Sequence, residues 1–463
     1  MSISSKNYLS DKDSNFGFIE KIFVWSLVFE PMIFFVVLSN SSIGISGNIS
    51  RMLQIIVLIM LLLRALSIGY YKIKIPNLFY SAYRWYFLYI IFAVISLIFG
   101  ALNGAYDPNL TSKTLADTYS GFTILLSGSL LRPFIELIIL IYNFIYLVIL
   151  PQYLLRSKKG INYFFNIFFL VFFFSFFIGI IDLFLDYVFE YEWIPRTIAD
   201  WNHVGKRYHG LAGEPRDAFV YTILGMTLLF VRDYWQETKI NKIWYLIFFL
   251  CLLLTQSFSG YVSFAIILVL LFVYLLPATK IKYSLPVFIT CLITFPIVIY
   301  AILNTPRTLR YIESVPELLD IFINNRNISE YWLTQIVNLY PIWIRFTNLI
   351  ELNFLPILIG TGLGSSSVLN SIFFESKGGN FNPNAWIIRL IFEGGLIGIL
   401  IFIQSFLGPI KKLITSEKVK MTLIISILSV LGASMGHRSS SIYIFFGITY
   451  LVFNYKKQKI DTF

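Results

Sequence analysis

About twelve apolar runs, most of them near the length of a membrane helix, follow one another along this chain and leave it few ways to fold. They lie at 22–38, 52–70, 85–101, 133–155, 161–182, 218–232, 243–257, 259–277, 285–303, 384–406, 420–435 and 439–454. A helix that crosses the hydrocarbon core needs about 20 mostly apolar residues. Charged residues are only 13% of the chain, against about 25% in soluble domains. That is too few to cover so large a surface in water, so lipid is the natural solvent. The expected fold is an all-α polytopic membrane protein with about 12 transmembrane helices. Residues 1–463 then form a single integral membrane domain.

Lys and Arg set the expected orientation, because they hold loops in the cytoplasm. Lys6, Lys12 and Lys21 precede the first run, and Lys72, Lys74 and Arg84 precede the third. Arg156, Lys158 and Lys159, then Arg232, Lys239 and Lys242, then Lys280 and Lys282 continue the alternation. Lys411, Lys412, Lys418 and Lys420, and finally Lys456, Lys457 and Lys459, complete it. Every alternate loop is basic, which places both termini inside. The net charge of +11 is therefore read as a topology signal, with no nucleic-acid partner. The N-terminal residues lack the short apolar core and cleavage site of a signal peptide, so the first run reads as an uncleaved anchor. Cys251 and Cys291 both sit inside apolar runs, which argues against a disulfide framework or a zinc site.

The opposite face carries the long segments 102–132, 183–217 and 304–383. In the last, helical spacing with Trp332, Tyr340, Trp343 and Phe346 predicts interfacial helices. All three histidines, His203, His209 and His437, fall on this face, as do Arg196, Arg207, Arg216, Arg307, Arg310, Arg326 and Arg345. Positive charge there runs against the topology bias and needs a local cause.

Four motifs stand out. HVGKRYHGLAGEPRDAF (203–219) packs Lys206, Arg207, Tyr208, His209, Glu214 and Arg216 just before a span. Its glycines allow a tight path, and Pro215 suits a helix start. An Arg there can bind phosphate bidentately; the competing reading is an ordinary polar interfacial loop. In PIWIRFTNLIELNFLPILIGTGLGSSS (341–367), Arg345 either snorkels to headgroups or faces a cavity. GTGLGS lacks the spacing of a P-loop or a dinucleotide fingerprint, so nucleotide binding is rejected. In NFNPNAWIIRLIFEGGLIGILIF (380–402), Asn384 opens a span. Arg389 and Glu393, four residues apart, can pair on one helix face. Gly394, Gly395 and Gly398 permit close helix packing. GHRSSS (436–441) holds His437 and Arg438 in a tight turn. Asp182, Asp186, Glu190 and Glu192 match no metal-ligand spacing and read as solvated acids at a membrane end.

These features, in this order, resemble the O-antigen polymerase and O-antigen ligase superfamily over roughly residues 200–405. RYHGLAGEP is similar to a periplasmic Arg-x-x-Gly segment followed by Glu-Pro. TQSFSGY resembles a Thr-x-Ser-x-Gly junction. Arg345 with GTGLGS, and then NAWIIRLIFEGGLIG, resemble the later loop and span. One departure matters: Asn384 stands where ligases of this superfamily carry a His nine residues before the Glu. That favours a Wzy-type polymerase.

The resemblance implies a GT-C-like, membrane-embedded glycosyltransferase in a bacterial inner membrane, with its active site facing the periplasm. A growing glycan on undecaprenyl pyrophosphate would pass to the hydroxyl of a lipid-linked repeat unit. Arg207, Arg216 and Arg345 would stabilise the leaving pyrophosphate. Glu214 or His209 would be the general base. Lys206, Tyr208, Asn384, Arg389, His437 and Arg438 would bind substrate. No cofactor or metal enters the scheme. The implied partners are the lipid-linked oligosaccharide, the bilayer, a chain-length regulator and a flippase. The alternatives are a ligase transferring glycan to lipid A-core and a lipid-linked oligosaccharide flippase. A transporter should show repeated halves and mid-membrane charges, and neither is evident in the sequence.

Overall fold

A computed structural model describes residues 16–32, 36–40, 45–68, 77–102, 131–191, 193–194, 207–213, 215–237, 242–256, 355–364, 386–413, 417–433 and 439–461. The expected spans 259–277 and 285–303 lie outside them, as do the interfacial helices expected before residue 355. In chain order the helices are α1 (Phe18–Val28), α2 (Ile49–Ile68), α3 (Asn77–Leu102) and α4 (Leu131–Asn143). A π-helical stretch (Phe144–Ile149) leads from α4 into α5 (Leu150–Leu154). Then come α6 (Lys158–Phe189), α7 (Pro215–Gln236), α8 (Lys242–Thr255), α9 (Leu355–Ile359), α10 (Trp386–Leu413), α11 (Glu417–Ala433) and α12 (Ser440–Asp461).

Among the described residues, five helical stretches are long and apolar enough to cross a membrane: Ile49–Ser67, Tyr83–Gly100, Phe134–Leu154, Lys158–Phe189 and Glu393–Ile410. Each coincides with an expected span. Helices α7 and α12 also coincide with expected spans, but they lie at the centre of the bundle and are largely buried. Exposed Ile55, Ile59, Leu62, Leu63 and Leu66 on α2, and Phe174, Phe177, Ile181 and Phe184 on α6, form apolar outer faces. Such faces would be untenable in water over this area. The chain is a helical membrane protein.

The first expected span, 22–38, takes a different form. Helix α1 stops at Val28, and Val36–Asn40 (β1) pairs antiparallel with Ile45–Asn48 (β2). The sequence there is rich in Ser, Asn and Gly, which favour turns over helix. A polar network closes the end of α1. The Glu30 carboxylate accepts from Arg51 at 2.7 Å, from Ser50 at 2.5 Å and from Gln54 at 2.5 Å, and Tyr142 donates to Gln54 at 2.6 Å. Glu30 is buried, and a buried carboxylate is tolerable only when bonded in this way. The network ties α1, α2 and α4 together.

Glycines and aromatic rings set the helix spacing. Gly447 of α12 backs directly onto the Leu147 carbonyl of the π-helical stretch. Gly225 of α7 faces the Phe248 ring of α8, where Phe172 and Tyr221 also meet (ring centroids 4.6 to 4.9 Å). Helix α3 runs antiparallel to α10, with Ser96 against Glu393 and Trp85 against Gly408. Lys456 near the end of α12 donates to the Tyr234 carbonyl near the end of α7 at 2.6 Å, so these two run parallel. Helix α12 also runs antiparallel to α3, with Tyr83 against Tyr450 and Tyr86 against Tyr443, and so runs parallel to α10. The starts of α7, α10 and α12 and the end of α6 therefore share one end of the bundle.

Candidate functional site

Two of the singled-out motifs meet the described residues at that shared end. The first is the segment 207–213, which lies folded against α6. Ser175, Gly179 and Asp182 form one stripe of α6, spaced by four and three residues. The Ser175 hydroxyl accepts from the Leu211 N–H at 3.2 Å. A Cβ on Gly179 would come within 2.5 Å of the Tyr208 ring and 2.7 Å of Gly210 Cα, so the segment can seat only on a glycine. Gly210 and Gly213 take positive φ of 51° and 82° around a single turn of 3-10 helix, Gly210–Ala212. The other side of the segment reaches α8: the Tyr208 N–H donates to the Leu254 carbonyl at 3.0 Å. Arg207 donates to the Gln256 carbonyl at 3.5 Å.

Asp182 is the least expected member of the site. The sequence reading made it a solvated acid; in the structure it is 4% exposed. Its Oδ1 accepts from the N–H groups of Trp193 and Ile194 at 3.0 and 2.7 Å. Its Oδ2 lies 3.3 Å from His209 Nε2, at ion-pair distance but off the line of a directed hydrogen bond. His209 Nδ1 lies 3.1 Å from the Gly210 carbonyl. Asp182 thus holds backbone groups 11 and 12 residues further on and faces His209 in the segment that begins at Arg207. No local sequence pattern links the two.

This geometry places two of the candidate site residues inside the fold. His209 was a candidate general base, but it is 2% exposed and both ring nitrogens face acceptors. Tyr208 was a candidate substrate contact, but it is buried beneath Gly210 with Cys251 beside it. Burial, then the neighbouring thiol, pushes its hydroxyl well above the usual phenol range. Arg207 and Arg216 differ. Both are half-buried and stand at the two ends of the turn, Arg216 in the first turn of α7. Pro215 begins that helix as expected.

The second motif is the glycine run after α9. Gly360, Gly362 and Gly364 all take positive φ, between 79° and 98°. The run packs backbone to backbone against a break in α10. Gly395 sits at φ 61°, ψ −174°, a region open in practice to glycine alone. The Glu393 carbonyl accepts from the Gly362 N–H at 2.9 Å and from the Ser96 hydroxyl of α3 at 2.8 Å. A Cβ on Gly360 would lie 2.5 Å from the Glu393 carbonyl oxygen, and one on Gly395 would overlap the Leu358 carbonyl. GTGLGS and EGG, read separately in the sequence, thus form one structural unit. Gly398, by contrast, packs conventionally against the Phe92 ring. Glu393 is fully buried, while the Arg389 side chain lies outside the described residues, and with it the expected pair.

Lys206, Glu214, Arg345, Asn384, His437 and Arg438 also lie outside the described residues. Among the described residues no group of three or more His, Cys, Asp or Glu is placed to hold a metal ion. Cys251 is buried as a free thiol. No protein-family model matches the chain, and no curated protein matches it.

Proposed function

We propose that this chain is a polymerase of O-antigen or related surface polysaccharide. It would transfer a growing glycan from undecaprenyl pyrophosphate to a hydroxyl of a lipid-linked repeat unit. The observation that carries the proposal is the docked 207–213 turn. It buries Tyr208 and His209 and leaves Arg207 and Arg216 at its two ends, at the same end of the bundle as the glycine unit. Two half-buried guanidinium groups at a membrane surface suit a diphosphate, which they can bind bidentately. The order of the sequence motifs supports the same reading, with Asn384 in place of the ligase histidine.

In this proposal the twelve expected spans place both termini in the cytoplasm and the turn at the periplasmic face of an inner membrane. The acceptor hydroxyl attacks the anomeric carbon, the bond to pyrophosphate breaks, and the lipid pyrophosphate leaves with its electron pair. Arg207, Arg216 and Arg345 take up the charge that develops on it. Glu214 accepts the hydroxyl proton, His209 being turned inward. A chain-length regulator and a flippase are the natural partners.

Glycan banding in a strain deleted for this chain tests the proposal. A single capped repeat unit is the expected phenotype, restored by the wild-type chain. Long lipid-linked chains that are never transferred would instead identify a ligase. Cytoplasmic accumulation of lipid-linked units would identify a flippase.

A further inference from the structure

We propose that Asp182 is a positioning residue for the Arg207 cation, a role that rests on the pyrophosphate-binding function proposed above. The carboxylate performs two tasks at once. Through Oδ1 it gathers the N–H groups of residues 193 and 194 and so fixes the chain leaving α6. Through Oδ2 it faces His209, the residue at the start of the 3-10 turn. Residues 193, 194 and 209 thereby all meet at one side chain near the end of α6.

Ser175 and Gly179 extend the same stripe and hold the middle of the turn. The Tyr208 N–H to Leu254 contact anchors its far side on α8. Arg207 therefore stands at the end of a turn whose interior is fixed on two helices, with its own guanidinium donating to the Gln256 carbonyl. The turn cannot slide along α6, because only Gly179 admits the Tyr208 ring and the Gly210 backbone. Holding cations in place before the ligand arrives removes ordering costs from binding. A buried Asp at this site therefore contributes to affinity without touching the ligand.

The test is binding of inorganic pyrophosphate to the purified full-length protein in lipid nanodiscs, by calorimetry. Asp182→Ala is expected to weaken binding about ten-fold. Asp182→Asn, which keeps an acceptor for residues 193 and 194, should stay within about three-fold. The decisive variant is the double substitution Asp182→Ala with Arg207→Ala. If Asp182 acts by placing Arg207, the double variant binds no more weakly than Arg207→Ala alone. A merely structural loss would instead be additive. Additive losses, or wild-type binding by Asp182→Ala alongside weakened binding by Arg207→Ala, overturn the positioning role. Unaltered binding by both Arg207→Ala and Arg216→Ala overturns the pyrophosphate site itself, a separate outcome. Should Asp182→Ala fail to accumulate, Ser175→Ala in the same cycle decides. It loses only the bond to Leu211 and should show the same non-additivity with Arg207→Ala on a smaller scale.

Discussion

The 207–213 turn and the 360–364 turn lie at the same end of the bundle, yet they are held to their helices by different means. The first is fastened by side chains: Asp182 and Ser175 reach out from an unbroken α6 to backbone groups and to His209. The second is fastened by shape. Glycines on both partners let two backbones touch, and α10 itself breaks at Gly395 to meet the run. Side-chain fastening can be loosened by degrees. Backbone contact tolerates no added atom, so it should fail abruptly. The first arrangement suits a segment that presents charged groups to a ligand, and the second suits a fixed wall.

The largest effect should come from Gly395→Ala. It combines about 1–3 kcal/mol of backbone strain with about 1–3 kcal/mol of overlap against Leu358 and Gly360. Loss of monodisperse protein on gel filtration, or a sharply lower unfolding temperature, is the expected result. Its neighbour Gly394 meets nothing within 4 Å, so Gly394→Ala should be near neutral or slightly stabilising. Equal behaviour of the two variants would refute the backbone-contact account.

Gly179→Ala comes next. The new methyl would collide with the Tyr208 ring and Gly210, at a cost of about 1–3 kcal/mol. Helix α6 would stay intact while the turn lifts. Faster protease cleavage within 207–213, with helical content unchanged by circular dichroism, is the expected signature. Asp182→Ala leaves the buried Ile194 N–H and the more exposed Trp193 N–H without their acceptor, which costs about 1–3 kcal/mol. It should lower the unfolding temperature more than Asp182→Asn does. Ser96→Ala should have the smallest effect, about 1 kcal/mol, because the Glu393 carbonyl keeps its bond from Gly362. A Ser96→Ala loss as large as that of Gly395→Ala would mean that the hydroxyl, and not glycine shape, holds the second turn.

Much of this architecture is legible in the sequence, for local reasons. An apolar run of about 20 residues is matched to lipid by its own composition, and five such runs are helices here. Pro215 marks the start of α7, and the glycines of GLAG and GTGLG mark places where positive φ is needed. The strand pair after α1 was missed because its strands are short and the first of them overlaps the end of an apolar stretch. Asp182 was missed because an acid near the end of a long helix has the same local pattern whether water or a loop covers it. The Glu30 network was missed for the same reason: its partners come from two other helices, α2 and α4.

What the sequence determined by itself is the solvent of this chain and where its glycine-rich turns fall, since both follow from residues within a single turn or span. What only the tertiary structure decided is which polar groups are covered and which remain at the surface. His209 and Tyr208 look like reactive groups in a line of text and turn inward in the fold. Asp182 looks like a surface acid and becomes the anchor. The reason is physical: the fate of a polar group depends on donors and acceptors that packing brings from distant segments, and the cost of burying it unmet is what selects the arrangement.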